Sequence, residues 1–269
     1  MTRMAVLGGT RFIGFHLVQR LLRTGFEVTL FNRGRTTPPE SFATPGQGGR
    51  LVAIQGHREN LADLERLFER GFDVVFDVSG YTRAQVTPVL ERHRKQIGHY
   101  IFCSSSSVYQ QPFPSPLLEN APRDFSGGTY GGEKALVEDM LLDSWRQHAF
   151  PTTVLRAHGV FGSHDGGTPG IVLSQLLHRE PVAIRARCKT RTRFLDVQDL
   201  VEAFLLAAQN PLSHGKAYNV AGEETVSAAR LANLCGDAAG RPPHIIETAE
   251  SGLKWLDYEL IPDNTCIKP

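Results

Sequence analysis

Several features are missing from this chain of 269 residues, and each absence removes a class of protein. Its four cysteines, Cys103, Cys188, Cys235 and Cys266, form no C-x-x-C pair. That excludes a disulfide scaffold and a zinc knuckle and fits reduced thiols in a cytoplasmic protein. The histidines show no H-E-x-x-H or other ligand spacing, so no metal site is expected. No run approaches the roughly 20 apolar residues of a membrane helix. The opening stretch MTRMAVLGG lacks the apolar core of an export signal, so neither a membrane nor a secretory role is expected. Formal net charge is +1, which gives no global field for nucleic acid or membrane surfaces. There is no internal repeat and no low-complexity tract.

What is present is a strict alternation. Short apolar runs at Met4–Leu7, Glu27–Phe31, Leu51–Ile54, Val74–Val78, Tyr100–Cys103 and Thr153–Leu155 read as buried strands. Between them, Phe12–Thr24, Leu61–Arg70, Ala84–Lys95 and Glu133–His148 carry helical spacing. Strand–helix alternation requires right-handed crossovers and a parallel sheet. The fold class is therefore α/β, a doubly wound Rossmann sheet with a small C-terminal substrate-binding lobe. Residues 1–165, with 195–225 returning to them, are expected to form the Rossmann unit; residues 166–194 and 226–269 form the lobe. Two loops stand out. Thr36–Arg50 is rich in Pro and Gly, and Gln110–Gly128 holds four prolines, a length that suits a lid or substrate wall.

The first strand runs into Gly8-Gly9-Thr10-Arg11-Phe12-Ile13-Gly14, and a helix follows. Glycines at such a turn let the backbone approach a pyrophosphate, whose charge the helix N-terminus then stabilises. Strand, turn, helix, a Thr24-Gly25 stop and a second strand occur in order, which makes a dinucleotide the expected ligand. Gly8, Thr10, Arg11, Phe12, Ile13 and Gly14 are its expected contacts. Arg11 replaces the middle glycine of the usual three. At the end of the second strand, where an acid would hydrogen-bond the adenosine ribose, stands Asn32-Arg33-Gly34-Arg35. Asn32 and Arg33 join the cofactor set, and an arginine that can pair with a 2′-phosphate favours NADP, with NAD as the alternative.

Tyr130-Gly131-Gly132-Glu133-Lys134 opens the fourth helix. Spacing i, i+4 places Tyr130 and Lys134 on one helix face. A lysine ammonium beside a phenol should lower the phenol pKa from its ordinary value of about 10. The phenol can then exchange a proton with a carbinol oxygen while hydride passes to or from nicotinamide. The fifth strand leaves the sheet as Cys103-Ser104-Ser105-Ser106-Ser107, at the strand end where open α/β sheets bind ligands.

With these residues in hand, the chain resembles the extended and atypical short-chain dehydrogenase/reductases, the group that contains NAD(P)-dependent nucleotide-sugar epimerases and dehydratases. The resemblance rests on Gly8 to Gly14, Asp73 to Gly80, Phe102 to Tyr109, Tyr130 to Lys134, Leu155 to Gly162 and Arg193 to Leu200. It implies a Ser-Tyr-Lys catalytic set: Ser105, with Ser106 as fallback, then Tyr130 as acid/base and Lys134 as the ribose-binding group. It further implies that Ser79 and Gly80 line the cofactor and that Ala157 to Val160 lie near the nicotinamide. Sugar dehydratases of the group carry an acid just after the catalytic Ser/Thr. Ser106-Ser107-Val108 stand there instead, which favours an epimerase or a simple reductase. Glu119 resembles a recurrent glutamate of the family, with no catalytic role assigned. Helices Ala84–Lys95 and Glu133–His148 correspond to the pair that often forms a homodimer bundle.

Arg185, Arg187, Lys189, Arg191 and Arg193 alternate with other residues, so a single strand would carry all five on one face. They suit a substrate diphosphate, RNA or plain solvent. The family arginine falls at Thr192, flanked by Arg191 and Arg193, which together with Ser106 are the expected substrate contacts. The expected partner is a small molecule, a nucleotide-linked sugar or related polyol, bound without a membrane and with nucleic acid disfavoured. Two alternatives remain. One is an RNA-binding or ribonuclease-like member, as in chloroplast relatives with a similar Gly-Gly-Thr-Arg-Phe start. The other is a non-catalytic NADP-sensing regulator.

Overall fold

The computed structural model describes residues 2–36, 42, 48–165, 167–186, 190–249 and 260–263. In chain order the strands are β1 (Arg3–Leu7), β2 (Glu27–Asn32), β3 (Arg50–Gln55), β4 (Phe72–Asp77), β5 (Ile97–Ser105), β6 (Thr152–Ala157), β7 (Val160–Phe161), β8 (Val182–Arg185), β9 (Thr192–Arg193), β10 (Leu195–Asp196), β11 (Lys216–Val220), β12 (Thr225–Val226) and β13 (Ile245–Thr248). The helices are α1 (Phe12–Arg23), α2 (Leu61–Phe68), α3 (Arg83–His93), α4 (Tyr130–His148), α5 (Thr168–Leu177), α6 (Val197–Gln209) and α7 (Ala228–Ala239).

Seven strands pair in the order β11-β6-β5-β4-β1-β2-β3, all parallel. Strands covered on both faces need apolar residues at nearly every position, which is why Val74–Phe76 and Tyr100–Cys103 are continuous apolar runs. On one face, Leu17, Val18, Leu21 and Leu22 of α1 meet Leu200, Val201 and Phe204 of α6. On the other, α2, α3 and α4 contribute Leu64, Leu67, Val86, Val89, Val137 and Leu141. The first six strands and four helices lie where the alternation puts them, displaced by a few residues at their ends. A separate apolar cluster gathers Val172 and Leu176 of α5, Val182 of β8, and Ala228, Leu231 and Ala232 of α7. Among the described residues no helix is long and apolar enough to cross a membrane.

The stretch expected as the Thr36–Arg50 loop lies mostly outside the described residues, apart from Thr36, Phe42 and Gly48 to Arg50. Phe42 is buried and stacks on Phe15, with ring centroids 5.3 Å apart. The Gln110–Gly128 loop is anchored at Leu117. The Leu117 N–H donates to the Ile261 carbonyl at 3.0 Å, and the Asp263 N–H donates to the Leu117 carbonyl at 2.9 Å.

The alternating cations do not share one strand. Arg185 ends β8, which pairs with β13, whereas Arg193 lies in β9, which pairs with β12. The two strands take different neighbours, so the alternation carries no common face; Arg187 and Lys189 fall outside the described residues.

Candidate active site

Strand order reverses between β1 and β4, the point at which doubly wound sheets open a crevice at their carboxyl ends. The Gly-rich turn leaves β1 here. Gly8 has φ +95°, and a Cβ built on it would lie 2.5 Å from the Cβ of Ser79, at the end of β4. Only glycine suits both the dihedral and the approach. Thr10 is half-buried and Arg11 exposed. Arg11 caps α1 in extended conformation with no side-chain hydrogen bond to the first turn, leaving its amides to face an anion. Phe12 and Ile13 are half-buried, and Gly14 is buried. At the end of β2, Asn32 Oδ1 accepts from the Gly34 N–H at 2.7 Å, a turn that leaves Arg33 exposed. This cradle fits a dinucleotide: a glycine turn at the switch point, an uncapped helix start, and a cation rather than an acid at the ribose end.

A buried ion pair supports the Ser79–Gly80 turn. The Arg58 guanidinium grips Asp77 through Nη1–Oδ1 at 2.9 Å and Nη2–Oδ2 at 2.6 Å, and Nη1 also donates to Ser79 Oγ at 3.2 Å. Asp77 Oδ1 accepts from the Ser79 and Gly80 amides at 3.1 and 2.8 Å, while Tyr100 Oη donates to Oδ2 at 2.5 Å. Burial pushes the Asp77 carboxyl up, but Arg58 and these donors hold it below the usual carboxylate range. Sequence reasoning missed Arg58 entirely. Asp77, an acid inside the apolar run of β4, was the one available signal.

The structure brings Ser105, Tyr130 and Lys134 together. Thr129 caps α4 by accepting the Gly132 N–H at 3.0 Å, which fixes Tyr130 as the first helical residue. A methyl built on Gly131 would overlap the Ser107 carbonyl oxygen, so the glycine lets α4 press against the serine turn. Lys134 is 2% exposed, and its Nζ donates to the Cys103 carbonyl at 2.6 Å, on the strand that delivers Ser105. Ser105 Oγ donates to Ser107 Oγ at 3.1 Å and lies close enough to the Tyr130 phenol to draw its pKa downward.

One expectation reverses here. Partial desolvation, then Cys103 and Tyr81, push Tyr130 up to about 12 despite the pull from Ser105, although the residue remains 52% exposed. The Lys134 ammonium is turned to the Cys103 carbonyl and lies 5.9 Å from the Tyr130 ring centre, so it does not bring the phenol below its ordinary value. Burial in turn lowers the Lys134 pKa, against the pull of Cys103 and Asp77.

Ser106, expected as a fallback and a substrate contact, turns inward and is 4% exposed. Its hydroxyl is committed to His158 Nδ1 at 2.6 Å, because the 3₁₀ turn over Ser106–Val108 directs it away from the cleft. His158 Nε2 meets Thr192 Oγ1 at 2.7 Å, and Thr192 Oγ1 donates to the Leu260 carbonyl at 3.1 Å. Burial, with Arg193 adding to it, brings His158 down to about 4, so the ring is neutral at neutral pH. Ala157 ends β6 and is buried; Val160 opens β7 after Gly159 and is half-buried. Arg191 is exposed. Arg193 Nη1 donates to the Pro262 carbonyl at 2.7 Å, and its buried Nε has no hydrogen-bond partner among the described residues.

Behind the site lies a second network, also unread in the sequence. Glu138 accepts from Ser104 Oγ at 2.5 Å, Arg156 Nη2 at 2.7 Å and Arg123 Nη1 at 3.0 Å. Arg156 Nη1 donates to Tyr109 Oη at 2.7 Å and to the Glu119 carbonyl at 2.7 Å. Glu119 Oε1 accepts from the Asn219 N–H at 2.9 Å, a structural tie between the long loop and β11.

Comparison with known proteins gives the family. A curated relative, the chloroplast stem-loop binding protein of 41 kDa b of Arabidopsis thaliana, is 29% identical over 91% of this chain and 65% of its own length. A putative UDP-arabinose 4-epimerase of the same plant is 26% identical over 89% of this chain and 65% of its own. The chain thus spans just under two thirds of these two relatives. Among solved structures, the Thermus thermophilus UDP-glucose 4-epimerase in complex with NAD superimposes with a TM-score of 0.79 at 20% identity, covering 99% of this chain and 92% of that one. The profile of the NAD dependent epimerase/dehydratase family matches residues 4–221, and the chain belongs to that family.

Proposed function

We propose that this chain is an NAD(P)-dependent epimerase or reductase acting on a carbinol or ketone carbon of a nucleotide-linked sugar or related polyol. One observation carries the reading: Ser105, Tyr130 and Lys134 converge beside the Gly8–Ser79 crevice. Gly8 to Gly14, Asn32, Arg33, Ser79, Gly80, Ala157 and Val160 would hold the dinucleotide, and Lys134 its ribose. When bound, the nicotinamide supplies the hydride acceptor and, on the return step, the donor. In its phenolate form Tyr130 Oη would take the substrate hydroxyl proton as the carbinol C–H bond breaks, and Ser105 would donate a hydrogen bond to the same oxygen. In reduction Tyr130 gives that proton to the ketone oxygen, a role suited to a phenol held at about 12. Arg191 and Arg193 would meet a substrate diphosphate, with Ser106 as a further substrate contact of the expected set. The NAD- and UDP-sugar-associated names of the relatives support this substrate class. The α3–α4 face is the proposed homodimer surface. Mass spectrometry of nucleotide retained through purification, with turnover of UDP-glucose and UDP-arabinose, tests the reading. Retained oxidised cofactor with sugar interconversion supports an epimerase; neither cofactor binding nor turnover of any nucleotide sugar overturns it.

For the cofactor we propose NADP, on the strength of exposed Arg33 and the missing acid. Arg33→Ala is expected to weaken NADP binding by about 10-fold or more, as befits a lost charge-assisted phosphate contact, and to leave NAD within about two-fold. Isothermal titration with both nucleotides checks this; equal weakening removes Arg33 from 2′-phosphate recognition.

The stem-loop binding relative supports a second reading, in which the chain holds RNA. Arg185 and Arg193 lie in different two-stranded sheets, and Lys134, at 2% exposure, is out of reach of an RNA backbone, so the enzyme is preferred. Filter binding of a stem-loop RNA across a salt series distinguishes the two.

A further inference from the structure

Ser106, His158, Thr192 and Leu260 come from four separate segments and meet on the buried side of the serine turn. The direction of each hydrogen bond follows from the next. The Leu260 carbonyl can only accept, so the Thr192 hydroxyl spends its one proton there, at 3.1 Å. Towards His158 Nε2, 2.7 Å away, Thr192 Oγ1 is therefore the acceptor, and Nε2 carries the ring proton. In a neutral ring Nδ1 is then a lone pair, and it takes the Ser106 hydroxyl proton at 2.6 Å. All three donors point one way, from the serine turn towards residues 260–263. Ser106, His158 and Thr192 are 4%, 5% and 1% exposed, so water does not compete for these bonds. The far end is itself anchored: the Leu260 N–H donates to the Arg191 carbonyl at 3.3 Å, and Ile261 and Asp263 bond Leu117 of the long loop.

We propose that His158 is a positioning residue for Ser105: it pins the Ser106 hydroxyl, and with it the 3₁₀ turn that aims Ser105, to β9 and the 260–263 segment. The aim of Ser105 is set inside that turn. Its Oγ accepts from the Ser107 N–H at 3.1 Å, which caps the turn, and donates to Ser107 Oγ at 3.1 Å. Ser106 joins these two residues, so a shift of Ser106 disturbs both contacts. The turn has three residues, and its closing bond, from the Tyr109 N–H to the Ser106 carbonyl, is long at 3.3 Å. So short a helix does not hold its own shape, and side-chain anchors decide it. The catalytic consequence rests on the Ser105-Tyr130-Lys134 reading; the pinning of the turn does not.

The test compares Thr192→Val, which keeps the side-chain volume and removes the hydroxyl, with Thr192→Ser, which keeps the hydroxyl. NMR of the full chain reads two groups. In the wild type the His158 ring, assigned among ten histidines by its loss in His158→Phe, should carry its proton on Nε2. The Ser107 amide, the donor to Ser105 Oγ, should exchange with solvent about ten-fold faster in Thr192→Val and within about two-fold of wild type in Thr192→Ser. The Leu30 amide, in the sheet core, should be unchanged in both, which separates a loosened turn from a loss of global stability. His158→Phe keeps a ring and removes both nitrogens; it should loosen Ser107 likewise and serves where Thr192→Val does not fold. With a nucleotide sugar, kcat should fall about ten-fold in Thr192→Val and recover in Thr192→Ser, with KM and cofactor affinity within about two-fold, because a misaimed donor costs rate rather than binding. A ring proton on Nδ1, a Ser107 amide that does not quicken, or one that quickens together with Leu30 overturns the proposal. So does a loosened turn with kcat unchanged. A wild-type protein that turns over no nucleotide sugar removes the catalytic reading alone, and Ser107 exchange still decides the pinning.

Discussion

Tyr130→Phe is expected to lower turnover of a nucleotide-sugar substrate by about a hundred- to ten-thousand-fold, the usual contribution of a positioned acid/base. Cofactor affinity should stay within about two-fold, because a lost phenol hydroxyl removes at most one neutral hydrogen bond from the bound state. The substitution keeps the ring, and with it the contact to Tyr81 and the start of α4, so the loss reports proton transfer rather than folding. The pH dependence adds a sign. Tyr130 is pushed up to about 12 by the protein around it. Oxidation needs the phenolate and should therefore accelerate as pH rises towards that value in the absence of other charges at the site; reduction needs the phenol and should not fall off until then. A bound oxidised nicotinamide brings a positive charge and moves the midpoint downward. Steady-state rates in both directions, with thermal melts of wild type and variant, check the expectation. A Tyr130→Phe protein that retains its rate would falsify the catalytic assignment.

The second large effect is on stability. Glu138→Gln should cost about 3–5 kcal/mol, because it leaves buried guanidinium charge uncompensated. The Glu138 and Arg156 side chains are 0% and 2% exposed, whereas Arg123 is 17% exposed and also pairs with Asp139. Glu138 also ties Ser104, on the strand leading to Ser105, to α4, the helix that carries Tyr130 and Lys134. Total stability of a domain is on the order of 5–15 kcal/mol, so this one change consumes a large part of it. In urea the midpoint should fall sharply with little change in slope. Arg146→Ala is the comparison: it breaks the Arg146–Asp143 pair, both partners of which are at least half exposed, and should move the midpoint hardly at all. Equal small shifts in both variants would show that the Glu138 network contributes no more than a surface pair.

These expectations draw unequally on sequence and structure. The Gly8–Gly14 turn, the strand–helix alternation and the Tyr130–Lys134 spacing were all readable, because each is local: a period of two or 3.6 residues, a glycine at a sharp turn, an i, i+4 pair. The short strands β7, β9, β10 and β12 were not. Each has two residues, too few to show any period. The alternating cations illustrate the opposite error, since period two marks a common face only where the residues share one strand, and Arg185 and Arg193 do not.

By itself the sequence determined the parallel α/β class, the dinucleotide turn and the chemical character of Ser105, Tyr130 and Lys134, since these follow from neighbours along the chain. Only the tertiary structure decided how those groups are held. Asp77 meets Arg58 across 19 positions, Glu138 meets Arg156 across 18, and Thr192 meets Leu260 across 68. Such partnerships depend on which side chains must satisfy one another once water is removed, and that is set by packing rather than by spacing. Tertiary packing also moves the Tyr130 phenol opposite to the sequence expectation. A nearby lysine predicted a phenol ready to ionise; partial desolvation, then Cys103 and Tyr81, instead push it up to about 12 against the pull of Ser105, in a residue that is 52% exposed.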